Sequence, residues 1–296
     1  MKHGIRAVCI LLAATLAMAC IPMESRAEII DKRTWNGFVY TGFDTEEIEA
    51  ELEGRPVDKS AIELEILNYA GDEREIAIPA EIDGMKVVSV MSLSRAKNLR
   101  TLHIPNGVEV RWALARAPKL RKITVSPDNR RYSVKGNALL NKKGTKLMGY
   151  PGGYTTLKVP DSVVQIEGEF SPRLKKIKLG KNVKKVGYYS FSENKSLETL
   201  VLDRKMQYIG TGAFWRCRKL KKVVLGKSVK RIDYAAFDGC SKLKSIYIYN
   251  KKCRICMSED DHPTIPKRTT VYGWKGSSAE RYAKKYGLKF KVISPH

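Results

Sequence analysis

Histidine and tryptophan are rare in this 296-residue chain, at four each, and cysteine numbers only six. That scarcity narrows the chemistry. Three histidines, His103, His262 and His296, lie beyond the first 27 residues, and none stands near a nucleophile in a recognisable arrangement. There is no G-x-x-x-x-G-K-[ST] phosphate loop, no G-x-S-x-G turn and no H-E-x-x-H pair, which excludes phosphate-loop hydrolysis, the nucleophile-elbow hydrolases and that class of zinc protease. The acidic run Glu259-Asp260-Asp261-His262 lacks the spaced ligands and glycine of a hard-cation loop and reads as solvated chain before Pro263. The expectation is a protein that is not an enzyme and takes no metal and no cofactor.

Long apolar runs are missing too. The one that stands out, Ala7 to Ala19, follows Lys2 and Arg6 and is too short to cross a bilayer. Followed by Ser25-Arg26-Ala27, with small residues at the two positions a signal peptidase reads, it predicts a Sec signal peptide over residues 1–27 with cleavage after Ala27. The rival reading is a lipobox ending at Cys20, which Ala17-Met18-Ala19 matches poorly. Either way the expected location is secreted or at the extracellular surface, with no transmembrane span.

Removal of that leader takes Cys9 and Cys20 and leaves Cys217, Cys240, Cys253 and Cys256. Cys217 and Cys240 are 23 residues apart, in one column of the repeat described below; parallel side chains at strand spacing disfavour a disulfide and suit two buried thiols. Cys253-Arg254-Ile255-Cys256 is a lone C-x-x-C with no second pair, so a local disulfide or two packed thiols is expected rather than zinc or redox work.

Acidic residues are outnumbered, 31 Asp and Glu against 55 Lys and Arg, for a net charge of +24. The imbalance is not uniform. From Glu28 to Arg100 there are 9 Lys and Arg against 16 Asp and Glu, a balance of −7. An acidic front precedes a strongly basic remainder.

What the chain has in abundance is periodicity. Ile177, Leu200, Val223 and Ile246 are spaced 23 residues apart, and the columns between them recur in step: Phe191, Phe214, Phe237; Asn194, Cys217, Cys240; Leu197, Leu220, Leu243. A 20-residue version begins at Leu157 with Phe170 and Leu174 in place, a 21-residue version at Leu102, and a 26-residue version, lengthened around Asp83 and Gly84, at Ile76. One such unit cannot bury its own apolar face, so the units must stack into a solenoid.

The run I-G-x-x-A-F-x-x-C-x-x-L-x-x-V-x-L, complete from Ile209 to Leu225, resembles the BspA-type bacterial leucine-rich repeats of secreted and cell-surface proteins. The resemblance extends roughly from Ile76 to Ile293. It implies a mainly β leucine-rich-repeat solenoid of about 23-residue units, each with one short strand and a tight or 3-10 return, closed by a C-terminal strand-helix-strand cap. The helix of that cap should start near Ser277 or Ser278. Two departures stand out: Arg111-Trp112 replaces the usual Ile-Gly in the second unit, and the unit from Leu157 lacks three residues. The expected organisation is a signal peptide over 1–27, an N-terminal cap or small acidic module over 28–75, a solenoid over 76–256 with a hairpin insertion at 126–156, and a C-terminal cap over 257–296. Within the front, Thr34 to Phe43 suits a strand, Thr45 to Leu52 a short acidic helix, and Ile62 to Tyr69 another strand.

If the Leu-x-x-Leu-x-Leu strand lines the concave face, alternation turns Lys176, Lys178, Thr199, Val201, Lys222, Val224, Ser245 and Tyr247 outward. Lysine columns run beside it: Lys175, Lys221 and Lys244 on one flank, and Lys184, Lys185, Lys230 and Arg231 on the other. Like charges stacked at strand spacing repel, and a polyanion relieves them; the alternative is that the lysines only keep the repeat soluble. Asn194-Lys195-Ser196 matches a glycosylation sequon, yet Asn194 belongs to a buried column. The resemblance implies adhesion or surface interaction, and the charge points to an extracellular protein or an anionic glycan or wall polymer as partner. The competing reading is a structural or assembly protein that pairs with other surface proteins. Nucleic acid fits the charge but neither export nor the shortage of exposed aromatics at base spacing.

Overall fold

The front of the chain doubles back at Asn36-Gly37, where both residues take positive φ (43° and 80°) and join β1 (Arg33–Trp35) to β2 (Phe38–Gly42). The single strand expected from Thr34 to Phe43 is therefore a hairpin, because Asn-Gly favours the left-handed pair that matches strand twist. The computed structural model describes residues 33–42, 59–110, 112–203, 205–257 and 263–294. The leader, the stretch from Thr45 to Leu52, Arg111, the run from Glu259 to His262, and His296 lie outside those residues. β2 pairs antiparallel with β3 (Glu63–Tyr69). After β4 (Glu75–Ala77), a second left-handed pair, Asp83-Gly84, turns β5 (Glu81–Ile82) into β6 (Met85–Val90), which lies parallel to β3. The front is thus hydrogen-bonded directly onto the first repeat.

Next come β7 (Thr101–Ile104), β8 (Glu109–Val110), the one-turn helix α1 (Ala113–Arg116) and β9 (Lys122–Val125). An antiparallel meander follows: β10 (Tyr132–Lys135), β11 (Ala138–Asn141) and β12 (Lys146–Gly149). The repeats then alternate longer and shorter strands: β13 (Thr156–Lys158), β14 (Gln165–Ile166), β15 (Lys176–Lys178), β16 (Lys185–Val186), β17 (Thr199–Leu202), β18 (Tyr208–Ile209), β19 (Lys222–Leu225), β20 (Arg231–Ile232), β21 (Ser245–Ile248) and β22 (Arg254–Ile255). The stack closes with β23 (Thr270–Gly273), α2 (Ser278–Tyr286) and β24 (Phe290–Val292). α2 is capped by the Ser277 hydroxyl, which accepts from the Glu280 amide at 3.2 Å, and ends on left-handed Gly287, the expected N-cap and C′ chemistry.

Each repeat carries two strands, not one strand and a return. The longer strands run as parallel segments of a first ladder, and β12 with the two-residue strands β14-β16-β18-β20-β22 forms a second. Both turn alternate residues onto one core: Val223 and Leu225 from the first ladder meet Ile232 from the second, all fully buried. The core has two blocks, and β11 serves both, Leu139 facing the front block and Leu140 the rear one.

Between the ladders, the returns are locked by two devices. The phenylalanine column stacks face to face, with ring centroids 5.1, 5.3 and 5.6 Å apart along Phe170, Phe191, Phe214 and Phe237. In addition, left-handed residues turn their amides toward the following unit. Tyr189 (φ 49°) donates to the Thr211 carbonyl at 3.0 Å, Gly212 to Tyr234 at 3.0 Å, Glu193 to Trp215 at 2.6 Å and Arg216 to Asp238 at 2.8 Å. Glycine accepts that geometry freely, whereas a bulky residue such as Tyr189 carries strain of about 1–3 kcal/mol.

The first ladder is not continuous. It runs β4-β7-β9, resumes as β13-β15, and resumes again as β17-β19-β21-β23-β24. The meander occupies the first interruption. The second has no insertion and follows from chain length: Phe170 to Ile177 is two residues shorter than Phe191 to Leu200 or Phe214 to Val223. The short return draws β15 against β13, where Lys175 and Lys176 donate to the Thr155 carbonyl at 2.7 and 3.2 Å. Most Cα atoms of β15 and β17 are then more than 8 Å apart, against about 4.8 Å for paired strands. Meanwhile β16 and β18 stay paired on the second ladder.

Replacing Phe214 with alanine should lower unfolding stability by about 3–5 kcal/mol, since the ring is fully buried and stacked on both sides. Equilibrium denaturant titration checks this, and a loss under about 1 kcal/mol would show that the column does not hold the units together.

Candidate functional site

On the first ladder, β17, β19 and β21 set Thr199, Lys222 and Ser245 in one row and Val201, Val224 and Tyr247 in the next, all turned from the core. Val201 is 49 % exposed, and Lys222 lies 5.1 Å from the Tyr247 ring, which stacks on Tyr272 at 4.3 Å. Lys176 and Lys178 project the same way from β15, but across the break, so the eight residues fall into two groups.

The break itself is lined. A groove of about 700 Å³ runs between Lys175, Lys176 and Ile177 on one side and Ser196, Glu198, Thr199 and Val201 on the other, with Lys219 at its edge. A continuation of about 360 Å³ follows past Lys178, Leu179 and Asp203. Along it, the β15 and β17 edges have no strand partner on the facing side among the described residues. Lys221 is committed elsewhere: its Nζ meets Glu198 Oε2 at 2.8 Å and holds that carboxyl below the usual range. Lys175 and Lys244 remain exposed at the rim of the ladder.

Lys184, Lys185, Lys230 and Arg231 belong to the second ladder, so the two sets of columns lie on different sheets and do not form one surface. Arg231 is tied to Asp233, whose other oxygen accepts from the Tyr208 hydroxyl. Burial opposes ionisation of Asp233, but the bonds from Tyr208 and Arg231 outweigh it and keep the carboxyl below its ordinary range.

The Asn/Cys column has a shared task. Cys217 Sγ donates to the Phe191 carbonyl at 3.2 Å and Cys240 Sγ to that of Phe214 at 3.1 Å. Asn194 reaches the Ser171 carbonyl at 3.3 Å while its oxygen accepts from the Ser196 and Leu197 amides. Asn194 is buried, so the sequon is not open to a glycan. Among the described residues the four cysteines, Cys217, Cys240, Cys253 and Cys256, are free thiols. The neighbouring Cys217 thiol and then burial hold Cys240 far above the ordinary thiol range, and burial, reinforced by Cys256, pushes Cys253 up to about 12.

His103 stands beside two hydroxyls: Nε2 is 3.2 Å from Ser126 Oγ and Nδ1 is 3.0 Å from Thr124 Oγ1. Thr124 takes the place an orienting carboxylate would need, so the group bridges β7 and β9 as a polar contact and does not form a triad. Among the described residues, no cluster of three or more His, Cys, Asp or Glu is placed to hold a metal, and no helix is long and apolar enough to cross a membrane.

Aromatic exposure was underestimated from the sequence. Trp112, Tyr188 and Tyr189 are 46 %, 68 % and 48 % exposed, and with Tyr208 and Trp215 they line a groove of about 900 Å³ at the second ladder. Tyr189 meets Trp215 edge-on, at 6.3 Å and 86°. The signal was present: Trp112 marks the departure in the second unit, and Tyr188-Tyr189 fill the two variable positions before the Phe191 column.

Residues 153–258 match, in six copies, the family described as BspA type leucine-rich repeat region. No curated protein matches the chain. Among solved structures, a leucine-rich repeat protein from Eubacterium ventriosum is 22 % identical, with a TM-score of 0.46; the match covers 68 % of this chain and 57 % of that one. The leucine-rich repeat protein of T. pallidum is 19 % identical over 90 % of this chain and 100 % of its own, with a TM-score of 0.36. A leucine-rich cell surface protein from Faecalibacterium prausnitzii is 14 % identical over 94 % and 97 %, with a TM-score of 0.32.

Iodoacetamide at mildly alkaline pH should leave Cys217, Cys240 and Cys253 unmodified in the folded protein. After unfolding without reductant it should alkylate all four thiols, as mass spectrometry reads. Recovery of only two adducts would mean that a disulfide exists.

Proposed function

We propose a non-enzymatic binding role for this chain, whose repeat region is of the BspA type: it is exported and engages an anionic extracellular partner through the first ladder. The observation that carries this reading is the lysine-rimmed break between β15 and β17. Most Cα pairs across the two strand edges lie more than 8 Å apart, wider than the ~4.8 Å of a paired ladder, as an inserted strand requires. Edge amides and carbonyls supply main-chain hydrogen bonds to such a segment. Ile177 and Val201 supply apolar contact, and Lys175, Lys176, Lys178 and Lys219 supply positive charge against the two carboxylates Glu198 and Asp203. An extended acidic stretch of polypeptide fits this description better than a polyanionic glycan, because a glycan has no regular ladder of amides to offer.

Export rests on the leader pattern of residues 1–27. The accompanying division is a cap over 28–75, a solenoid over 76–256 with its insertion at 126–156, and a closing cap over 257–296. In this reading the lysines of the second ladder serve solubility.

A labelled peptide alternating glutamate with valine tests the proposal by fluorescence anisotropy. Binding should weaken as salt rises, and should fall at least about tenfold in a K175A/K176A/K219A variant, corresponding to about 1.4 kcal/mol. It should be abolished by N-methylation of alternate peptide amides and be nearly unchanged by K184A/K230A. Equal binding of the methylated peptide, or binding of heparin alone, would overturn strand insertion.

A further inference from the structure

The aromatic groove on the second ladder is a different object, and its features do not suit an acidic segment. Its strands, β14, β16 and β18, are paired on both sides, so no main-chain edge is open there. Its three carboxylates are each matched by a cation, and Lys185 adds one further positive charge to the lining. Arg116 meets Glu169 at 3.2 Å, Lys146 meets Glu167 at 3.1 Å, and Arg216 approaches Glu193 at 3.9 Å while lying 4.0 Å over the Trp215 ring. In a chain of net charge +24, this is a nearly neutral surface.

Its aromatics are placed against the interests of stability. Tyr189 holds a left-handed backbone where the next two units have Gly212 and Ala235, and its ring is left in water. A glycine would satisfy the backbone and an inward apolar residue the core, so neither folding requirement accounts for an exposed tyrosine. The ring is nonetheless held. It lies so close over Gly212 that a Cβ there would come within 2.4 Å of it, and it packs edge-on against Trp215. Gly212 therefore clears the floor on which Tyr189 rests. Across the groove, Trp112 presents a second exposed ring, and Tyr188 a third.

We infer that this groove binds a neutral oligosaccharide, with pyranose faces on Trp112, Tyr188 and Tyr189 and ring hydroxyls on the flanking polar groups. Pyranose rings present an apolar C–H face that an aromatic ring covers, and an equatorial rim of hydroxyls that donate and accept. Glu169, Glu193 and Ser192 accept such hydroxyl donors, and Gln165 and Arg116 supply N–H groups, all at the groove wall. The volume of about 900 Å³ lies within the usual range for small-ligand sites. This inference is independent of the acidic partner proposed for the first ladder.

Trp112 and Trp215 both line the site, so intrinsic fluorescence reads occupancy directly. Cellohexaose, N-acetylchitohexaose and maltohexaose are titrated into the full mature chain. At least one should shift tryptophan emission with an affinity that salt does not change, and Y188A, whose ring is 68 % exposed and so dispensable for folding, should weaken it about tenfold. W112A, read by isothermal calorimetry, should do the same, whereas K175A/K176A/K219A should leave it intact. No binding by any of the three, binding unaltered by both aromatic variants, or binding lost in the lysine variant would overturn the assignment.

Discussion

The structure depends on one constraint: each turn of the chain must return to the same register against its neighbour. Strands alone cannot enforce this, since the second ladder uses only two residues per unit. The returns do so. Their left-handed residues send amides to carbonyls 22 positions ahead, and the phenylalanines stack beneath them. The Asn/Cys column then ties each return backward to the unit before it. Forward and backward bonds together leave little freedom to slip, and nearest-neighbour coupling of this kind is what stabilises a repeat array.

Because register is set in the returns, a change in return length is felt in the strands. Two residues missing between Phe170 and Ile177 do not disturb the phenylalanine stack, which continues at 5.1 Å. The strand that follows is displaced instead, and the ladder opens at β15 and β17. A deletion has thus become a surface feature: two unpaired edges, an apolar strip, and lysines on the rim. On the opposite sheet, where pairing is unbroken, the variable positions before the phenylalanine column carry tyrosines. The solenoid presents two faces with different chemistry, both arising where units depart from the consensus.

Much of this was legible in sequence, for identifiable reasons. Buried columns repeat strictly because each faces the same neighbours in every unit, so Phe191, Phe214 and Phe237 announce themselves. The Ser277 cap follows a local rule and was equally readable. Strands of two residues, such as Lys185–Val186, are too short to show alternation, and the second ladder was missed on that account. The Asn36-Gly37 turn was present as a dipeptide but was overridden by the surrounding aromatic and β-branched residues. The three missing residues could be counted, yet their effect depended on which of two ladders would yield. The aromatic groove draws on Trp112 and Trp215, brought together only by stacking of several units, and no local pattern joins them.

A shortened return leaves one side of β17 unpaired, and amide hydrogen exchange reads that edge residue by residue. In the other units the amide at the start of the strand donates to the preceding turn, as Lys222 does to Glu198 at 3.3 Å. Exchange resolved by residue should therefore show the amides of Thr199 and Val201 turning over orders of magnitude faster than those of Lys222 and Val224, their equivalents one unit later. Equal protection at the two pairs would mean that β15 and β17 are joined in solution and that the ladder has no break.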